Sequence, residues 1–226
     1  MKKIMLYSVI FVSFLSIVSA HAAAAIISDD FNSPTLNESL WKTVDPRNDA
    51  QFSMVNTGSP YASLSITIPE GTSHDVYNGN LAPRIMQAAG NSDFEVEVKF
   101  QSLMNKTFQM QGIIIEQDEL NFLRFDFHSK GQKNWVLSAN FTNGSLSQIN
   151  NREIGAFTNS AIPLYMRVKR VGNNWTQSYS FDGTHWIAQP NFNRILTVTS
   201  AGPFVGNADG TSSGTSSPAF TGLIDY

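Results

Sequence analysis

Apolar and polar residues alternate along most of the chain after residue 25, and this period of two constrains the fold more than any other feature. The segment Phe94–Phe100 places four apolar residues on one face and three charged residues on the other. Residues 64–68, 121–127 and 164–169 alternate in the same way. Because successive side chains of a strand point to opposite faces of the sheet, each segment is predicted to be a strand with one buried face. No stretch keeps the 3.6-residue apolar period of a helix.

One apolar segment is continuous rather than alternating. Residues 112–115 read Gly-Ile-Ile-Ile, with no polar position between them. A strand that is apolar on both faces is typical of the middle of a sheet that is covered on both sides. The segment is therefore predicted to be a central strand.

Turn signals separate the apolar segments at the short spacing expected for antiparallel strands. The Asp-Gly pair at 182–183 is predicted to form a primed two-residue turn between strands at 175–181 and 184–186. Residues 207–218 are rich in Gly, Ser, Thr and Asp and are expected to form a mobile loop before the last strand. The chain is predicted to be one antiparallel β-sandwich of about a dozen strands.

Composition excludes several classes of function. The 226 residues include no cysteine, which rules out disulfide scaffolds, thiolate catalysis and cysteine-based metal sites. The formal net charge of -3 argues against a nucleic-acid partner bound through its phosphates. With 12% aromatic and 15% charged residues, the chain is predicted to be globular rather than disordered.

The first residues have the pattern of a secretory signal. Two lysines follow Met1, an apolar run covers residues 4–18, and small residues continue to Ala25. The apolar run is shorter than the roughly 20 residues that span a bilayer. Residues 1–25 are therefore predicted to be a signal peptide and residues 26–226 the mature domain. We expect a secreted, periplasmic or cell-surface protein with no membrane span after signal removal.

Five motifs occur in order along nearly the whole mature chain. In sequence they are Asp29-Asp30-Phe31 with Leu36 to Trp41, His74-Asp75 with Ala82-Pro83-Arg84, the stretch 112–118 leading into 121–125, the stretch 164–168 with 172–175 and Asp182-Gly183 to Trp186, and 202–207 with 224–226. This ordered set resembles the bacterial concanavalin A-like, laminin-G-like jelly-roll domains of unknown function related to the C-terminal domain of β-xylosidase-type glycoside hydrolases. The resemblance implies an all-β, two-sheet antiparallel jelly-roll sandwich of the concanavalin A-like lectin or glucanase type. It also implies recognition of carbohydrate on a concave sheet face or by loops, often beside polysaccharide-degrading enzymes.

Catalytic carboxylates are the first kind of site to consider on such a fold. Retaining glycosidases need two carboxyl groups about 5–5.5 Å apart, and the enzymes of this fold supply them from a bulged E-x-D-x-x-E strand. Residues 116–119 read E-x-D-E, so the second glutamate is at a different offset. Glu95 and Glu97 lie opposite a fully apolar face, which is typical of a solvated strand face. A glycosidase or lyase acting on polysaccharide remains an alternative function.

Two regions carry chemistry suited to sugar hydroxyl groups. The first is the polar loop 73–80, with His74 and Asp75, together with Arg84. Such a loop could equally be an ordinary long connection.

The second region is the outward face of two neighbouring predicted strands. Glu116 and Asp118 lie on one strand, and Arg124 and Asp126 alternate on the other against a Leu/Phe core face. A solubilising charge pair would explain them equally well, but this face is the preferred site, with Trp135 and His128 at its rim. The complete predicted ligand-binding set is His74, Asp75, Arg84, Glu116, Asp118, Arg124, Asp126 and Trp135. The other tryptophans, Trp41, Trp175 and Trp186, are expected to pack in the core or between sheets.

A structural calcium ion remains open, because sandwiches of this type often hold one where the first and last strands meet. Asp30 and Asp225 are near the two ends and could supply oxygen ligands. Ordinary strand pairing explains both residues as well, and no other cofactor is expected.

The preferred function is that of a secreted, non-catalytic carbohydrate-binding protein. The alternatives are the polysaccharide-acting enzyme and a structural or adhesive cell-surface domain without a sugar ligand. The sequence indicates neither the glycan nor the oligomeric state.

Overall fold

Two antiparallel β-sheets face each other in the computed structural model, which describes residues 25–77, 79–156, 162–210 and 216–226. The predicted signal peptide lies outside these ranges except for Ala25. Within them, no helix is long and apolar enough to cross a membrane. The strands of the described residues are β1 (Lys42–Val44), β2 (Gln51–Val55), β3 (Ser63–Ile68), β4 (Arg84–Ala88), β5 (Phe94–Phe100), β6 (Gln109–Asp118), β7 (Asn121–Lys130), β8 (Lys133–Thr142), β9 (Ser145–Ala156), β10 (Leu164–Val171), β11 (Asn174–Ser180), β12 (Ile187–Ala188), β13 (Phe192–Asn193), β14 (Ser200–Asn207) and β15 (Phe220–Ile224).

The strand order confirms the predicted two-sheet jelly roll. Sheet A has the order β1-β4-β14-β6-β7-β8-β9. Sheet B has the order β12-β11-β10-β5-β15-β3-β2, with β13 also paired to β11. Strands β6 to β9 form a continuous meander in sheet A, whereas the chain crosses between sheets from β3 to β4, β4 to β5 and β5 to β6. Strand β6 is the central strand of sheet A, as the continuous apolar run predicts.

The main hydrophobic core lies between the sheets and is built from the apolar faces of the alternating strands. Phe125 and Phe127 of β7 are fully buried there. The Phe127 ring meets Phe100 of sheet B edge-on, with ring centroids 6.2 Å apart. The Phe125 ring lies 6.5 Å from Trp175 of the same sheet. The alternation of apolar and polar residues therefore predicts correctly which side chains face the partner sheet.

The tryptophans divide between core and surface. Trp41 and Trp175 are buried in the core, as expected. Trp186 is only partly buried and lies outside that core. Its ring centroid is 3.8 Å from the guanidinium carbon of Arg167, on the face of sheet B that points away from sheet A. The expectation of core packing is therefore wrong for Trp186.

The predicted primed turn at 182–183 is also wrong. Strand β11 ends at Ser180 and β12 begins only at Ile187, so the connection is longer than two residues. The Asp182 carboxylate accepts the backbone N–H groups of Thr184 and His185, at 2.8 and 2.7 Å. This side-chain cap stabilises a wider loop in place of a tight hairpin.

The two aspartates considered as calcium ligands, Asp30 and Asp225, both have protein partners. Asp225 forms an ion pair with Lys99 of β5, with 2.6 Å between Nζ and Oδ2, and accepts a hydrogen bond from Gln101. The Asp30 carboxylate accepts the backbone N–H of Asn32 at 3.1 Å. Among the described residues, no group of three or more His, Asp or Glu side chains is gathered as for a metal ion.

Candidate functional site

The candidate site lies on the face of sheet A that points away from sheet B, termed the outer face. Alternation along β7 directs Phe122, Arg124 and Asp126 to this face. The strand register places Asp126 between Gly112 of β6 and Leu137 of β8. Arg124 and Asp126 therefore lie near the middle of the sheet rather than at an edge.

A stretch of the connection from β3 to β4, residues 74–77 and 79–83, crosses over the outer face and is termed the crossing segment. Val76 and Ala82 of this segment are fully buried in a second hydrophobic cluster, separate from the main core. The buried outer-face residues of the second cluster are Met86, Met110, Ile114, Phe122, Leu137, Ala139, Phe141 and Phe204. Sheet A is thus covered on both faces.

Two side chains anchor the crossing segment. His74 is fully buried, with Nε2 2.7 Å from Asp49 Oδ1 and Nδ1 3.1 Å from Asn207 Oδ1. Asn207 accepts the His74 backbone N–H at 2.8 Å and donates to the carbonyls of Pro69 and Pro218. Both ring nitrogens of His74 are hydrogen-bonded within the protein. His74 therefore anchors the crossing segment and is not free for the predicted ligand contact. Asn207, predicted to begin a mobile loop, is a fully buried anchor at the end of β14.

Under the crossing segment, Arg124 is held by a buried network. Its Nε donates to Asp126 Oδ2 at 2.5 Å, and the other oxygen of Asp126 lies 2.9 Å from His128 Nδ1. One Nη atom donates to the Met110 sulfur at 3.3 Å. The Tyr77 ring covers the guanidinium, with 5.1 Å between its centroid and the guanidinium carbon. The side chain is therefore fixed on several sides.

One donor atom of Arg124 is left without a partner. Among the described residues, Nη1 makes no hydrogen bond although it is buried, and it lies at the longer, ion-pair distance of 3.8 Å from Asp75 Oδ1. Arg124 lines a cavity of about 240 Å³, termed the Arg124 cavity. The other residues lining this cavity are Asp75, Tyr77, Phe108, Met110, His128, Ser129, Lys130, Leu137, Asn151, Ala208 and Asp209.

The two carboxylates beside Arg124 differ in their electrostatics. Burial alone would raise the pKa of Asp126, but Arg124 and His128 hold that pKa below its ordinary value of 3.8. Burial raises the pKa of Asp75, and this effect exceeds the lowering caused by the Tyr77 backbone N–H and Arg124. Arg124 and His128 therefore favour the charged form of Asp126, whereas burial disfavours the charged form of Asp75.

The packing of β6 against Asp126 requires a glycine. A Cβ atom on Gly112 would lie 2.0 Å from the Phe125 carbonyl oxygen and 2.8 Å from the Asp126 Cβ. Real Cβ atoms do not approach so closely, so any larger residue would push β6 away from Arg124 and Asp126. The glycine in the apolar run 112–115 is thus part of how the site is built.

Arg84 and Glu116 form a second buried charge cluster on the outer face. Arg84 Nη2 is 2.9 Å from Glu116 Oε1, and Nη1 donates to the carbonyls of Asn80 and Ala82. The Asn80 Nδ2 donates to the same glutamate oxygen at 2.6 Å. Burial lowers the pKa of Arg84, and Glu116 acts in the opposite direction. Arg84 lies on β4, three strands away from Arg124 on β7.

The structure brings only part of the predicted set together. Asp75, Arg124 and Asp126 meet at the Arg124 cavity, and Arg84 pairs with Glu116 elsewhere on the same face. The expectation that Arg124 and Asp126 face solvent is wrong, since they are 1% and 0% exposed. The physical reason is the crossing segment, whose apolar side chains exclude water from this face.

The two remaining predicted residues lie outside the Arg124 cavity. Asp118 is exposed in the turn after β6, where it accepts the backbone N–H groups of Leu120 and Asn121. Hydrogen bonds from the Asn121 side chain and the Leu120 backbone lower the pKa of Asp118. Asp118 therefore stabilises the turn. Trp135 is half-buried next to the cavity, its ring 6.5 Å from that of His128. Neither residue contacts Arg124.

Several residues of the Arg124 cavity were not predicted from the sequence, although one sequence feature indicates that the outer face is buried. Lys130, Asn151 and Asp209 line the Arg124 cavity from separate parts of the chain, and no local pattern joins them. The signal was the apolar character of outward positions, such as Ile114 and Phe122. When the outward face of a sheet is apolar, another part of the chain is expected to pack over it. Charged residues on that face are then buried as well.

The fold and this face define a class: the protein is a concanavalin A-like jelly-roll β-sandwich. A GH43 protein of Bacillus licheniformis, BlXynB, superposes with a TM-score of 0.65 at 15% identity, over 87% of this chain and 37% of that one. Carbohydrate-binding module CBM66 of Bacillus subtilis gives a TM-score of 0.53 at 14% identity, over 82% and 91% of the two chains. The β-glucanase of Bacillus licheniformis gives 0.59 at 12% identity, over 92% and 97%.

At these identities the likeness shows the fold alone, and this chain spans little more than a third of the BlXynB chain. The particular family follows from the sequence. Residues 59–209 match the family DUF1349, described as a protein of unknown function, and the chain belongs to this family. None of the curated proteins matches it.

Proposed function

We propose that this chain is a secreted, non-catalytic carbohydrate-binding protein and that the Arg124 cavity holds part of the glycan. The observation that carries the proposal is Arg124, a residue that lines the cavity and whose buried Nη1 has no hydrogen-bond partner among the described residues. A buried donor without a partner costs about 1–3 kcal/mol, so its retention favours a partner that arrives with a ligand.

The charges around the cavity favour a neutral ligand with hydroxyl groups. Arg124 and Lys130 are cationic, whereas Asp75, Asp126 and Asp209 are anionic. A phosphate or sulfate would meet an excess of negative charge. A sugar hydroxyl can accept from Arg124 Nη1 while it donates to an Asp75 oxygen, because a hydroxyl is both donor and acceptor.

Apolar side chains complete the match to a sugar. Tyr77, Phe108 and Leu137 line the same cavity and offer a surface to the C–H groups of a sugar ring. The Tyr77 hydroxyl donates to Gln148 of β9 at 2.8 Å, which fixes the ring across the outer face. A small set of placed polar groups within an apolar lining is typical of small-molecule sites.

The fold comparisons support the same class of ligand. The similar structures include a carbohydrate-binding module and a β-glucanase, both of which share this chain's fold over most of their length. Localisation belongs to the proposal as well. We expect secreted protein to begin between His21 and Ile26, the window of small residues after the apolar run. N-terminal sequencing that finds Met1 on the exported protein would contradict secretion by this signal.

Glycan-array screening followed by calorimetric titration tests the proposal. The panel should hold neutral plant, algal and bacterial polysaccharides beside acidic ones. Arg124→Lys keeps a cation beside Asp126 but removes Nη1, and we expect it to weaken binding by about tenfold or more. The double variant of the exposed rim residues, Lys130→Ala with Asn151→Ala, should weaken binding by about fivefold without a change in melting temperature.

Lys169→Ala is the matched control, because Lys169 is exposed on sheet B, on the opposite side of the sandwich. It should bind as the wild type does. Full affinity in both cavity variants would place the glycan elsewhere. No binding to any glycan would favour a structural or adhesive domain instead, and release of reducing sugar from a bound polysaccharide would favour an enzyme.

A further inference from the structure

We infer that the outer face of sheet A carries a second sugar subsite at Arg84, which takes a neutral segment of the same glycan. This inference rests on the proposed function and adds to it the length and the charge class of the ligand. The subsite is a cavity of about 650 Å³, termed the Arg84 cavity. It is lined by Lys42, Thr43, Val44, Asp45, Pro46, Asn48, Gly79, Asn80, Leu81, Arg84, Glu119, Leu120, Phe122, Phe141 and Gly144.

Two residues that line this cavity each have a buried polar atom without a hydrogen-bond partner among the described residues. Arg84 has a side chain that is 4% exposed, and its Nε makes no hydrogen bond. Asn80 Oδ1 is buried and accepts none. The two residues are neighbours, because Arg84 Nη1 donates to the Asn80 carbonyl at 3.2 Å and both side chains bond to Glu116.

An unpaired donor beside an unpaired acceptor selects the ligand's chemistry. A hydroxyl group, or two neighbouring hydroxyls, can accept from Arg84 Nε and donate to Asn80 Oδ1. A carboxylate or sulfate would satisfy only the arginine and would leave the amide oxygen facing a negative charge. The guanidinium is already neutralised by Glu116, and the remaining charged residues of the lining are one cation, Lys42, and two anions, Asp45 and Glu119. The arrangement therefore favours a neutral polyol over an anion.

The apolar wall of the cavity suits a sugar ring. Phe122 and Phe141 stack in parallel, with centroids 4.2 Å apart, and contribute to this wall. Leu120 stands at its edge and is 56% exposed. A sugar presents both hydroxyl groups and apolar C–H surface, and Leu120 offers exposed apolar surface next to the hydroxyl-binding groups.

The spacing of the two cavities sets the length of glycan that can use both. Arg84 and Asp126 occupy the same register level across β4, β14, β6 and β7. Three strand spacings separate their backbones, which is about 14 Å. The cavities also extend toward opposite ends of β6 and β7, with Leu120 lining one and Phe108 and Lys130 the other. The crossing segment contributes Tyr77 to one cavity and Gly79 and Asn80 to the other. A short oligosaccharide can therefore occupy only one of the two cavities, which under the proposed function is the Arg124 cavity, whereas a longer one reaches both.

Calorimetric titration with oligosaccharides of increasing length tests the second subsite. The probes are neutral gluco-, xylo- and fructo-oligosaccharides, with oligogalacturonates as the anionic comparison. For wild-type protein, affinity for the bound neutral series should rise by about tenfold once the oligosaccharide is long enough to span the cavities. Oligogalacturonates should show no such rise.

Variants separate the two cavities. Asn80→Ala and Leu120→Ala should abolish the rise with length and leave the affinity for the shortest binding oligosaccharide unchanged. Leu120 is exposed, so its variant has little effect on folding, and melting temperatures check both proteins. Asn151→Ala, in the Arg124 cavity, should weaken the binding of short and long oligosaccharides by the same factor of about three.

Each other result contradicts one part of the account. An unchanged length dependence in Asn80→Ala and Leu120→Ala would overturn the second subsite and leave the proposed function standing. Loss of short-oligosaccharide binding in those two variants, with none in Asn151→Ala, would make the Arg84 cavity the primary site and overturn the assignment to Arg124. A steeper rise with oligogalacturonates would overturn the preference for neutral sugar. If no oligosaccharide binds wild-type protein, both the function and the subsite are wrong.

Discussion

The two faces of sheet A are both buried, but their compositions differ sharply. The face toward sheet B is apolar along β7, where Leu123, Phe125 and Phe127 fill the core. The outer face of the same strand buries Arg124 and Asp126 under the crossing segment. Replacing a buried ion pair by apolar residues is often neutral or stabilising. Stability alone therefore does not account for the charges on the outer face, whereas the proposed recognition of a glycan would.

The largest expected effect belongs to the inner face. Phe125→Ala should lower the free energy of unfolding by about 3–5 kcal/mol, because a fully buried ring is lost between Trp175 and Phe192. Urea melts of the two proteins measure the difference. A loss below about 1 kcal/mol would mean that this face is not the main source of stability.

The outer face should respond differently to one change than to two. Asp126→Leu alone should cost about 3 kcal/mol, because it leaves the buried Arg124 without its counter-charge. Arg124→Met combined with Asp126→Leu should cost about 1 kcal/mol or less, since the pair is replaced by apolar side chains. Urea melts of the single and double variants form the test. Equal losses in both would show that the ion pair itself stabilises the fold and would remove the contrast between the faces.

A smaller effect is expected in acid. The pKa of Asp126 is lower in the folded state than its ordinary 3.8, so the folded protein binds fewer protons there than the unfolded chain does. Its contribution to stability is complete above about pH 4 and is lost as the pH falls through the folded pKa. The raised pKa of Asp75 has the opposite sign: it favours the folded state as the pH falls, since the folded protein takes up that proton first.

Urea melts at several acidic pH values, for the wild type and for the Arg124→Met and Asp126→Leu double variant, separate these contributions. The double variant retains Asp75 but lacks Asp126. Its stability should therefore fall less steeply below about pH 4 than that of the wild type. Identical slopes would contradict the assigned pKa of Asp126.

The contrast between the faces also shows what could be predicted from the sequence. Alternation in Phe94–Phe100 and in residues 121–127 indicates directly which side chains are buried. The strands, their buried faces and the β-sandwich could therefore be predicted from it. The crossing segment has no period, and its position over sheet A depends on contacts such as His74 with Asn207, 133 residues apart. The continuous run at 112–115 did indicate a cover on both faces. The grouping of Arg124 with Asn151 and Asp209 could not be predicted, because it depends on where that cover leaves a cavity.

The most direct test of the central claim is NMR observation of arginine side chains during titration with a glycan that binds. Arg124→Lys assigns the Arg124 guanidinium signals, and Arg167, partly exposed on sheet B, is the internal reference. The account predicts that the Arg124 Nη protons shift and exchange more slowly with water as the glycan fills the cavity, while the Arg167 signals stay in place. Saturation of the protein with glycan while the Arg124 signals remain unchanged would contradict it.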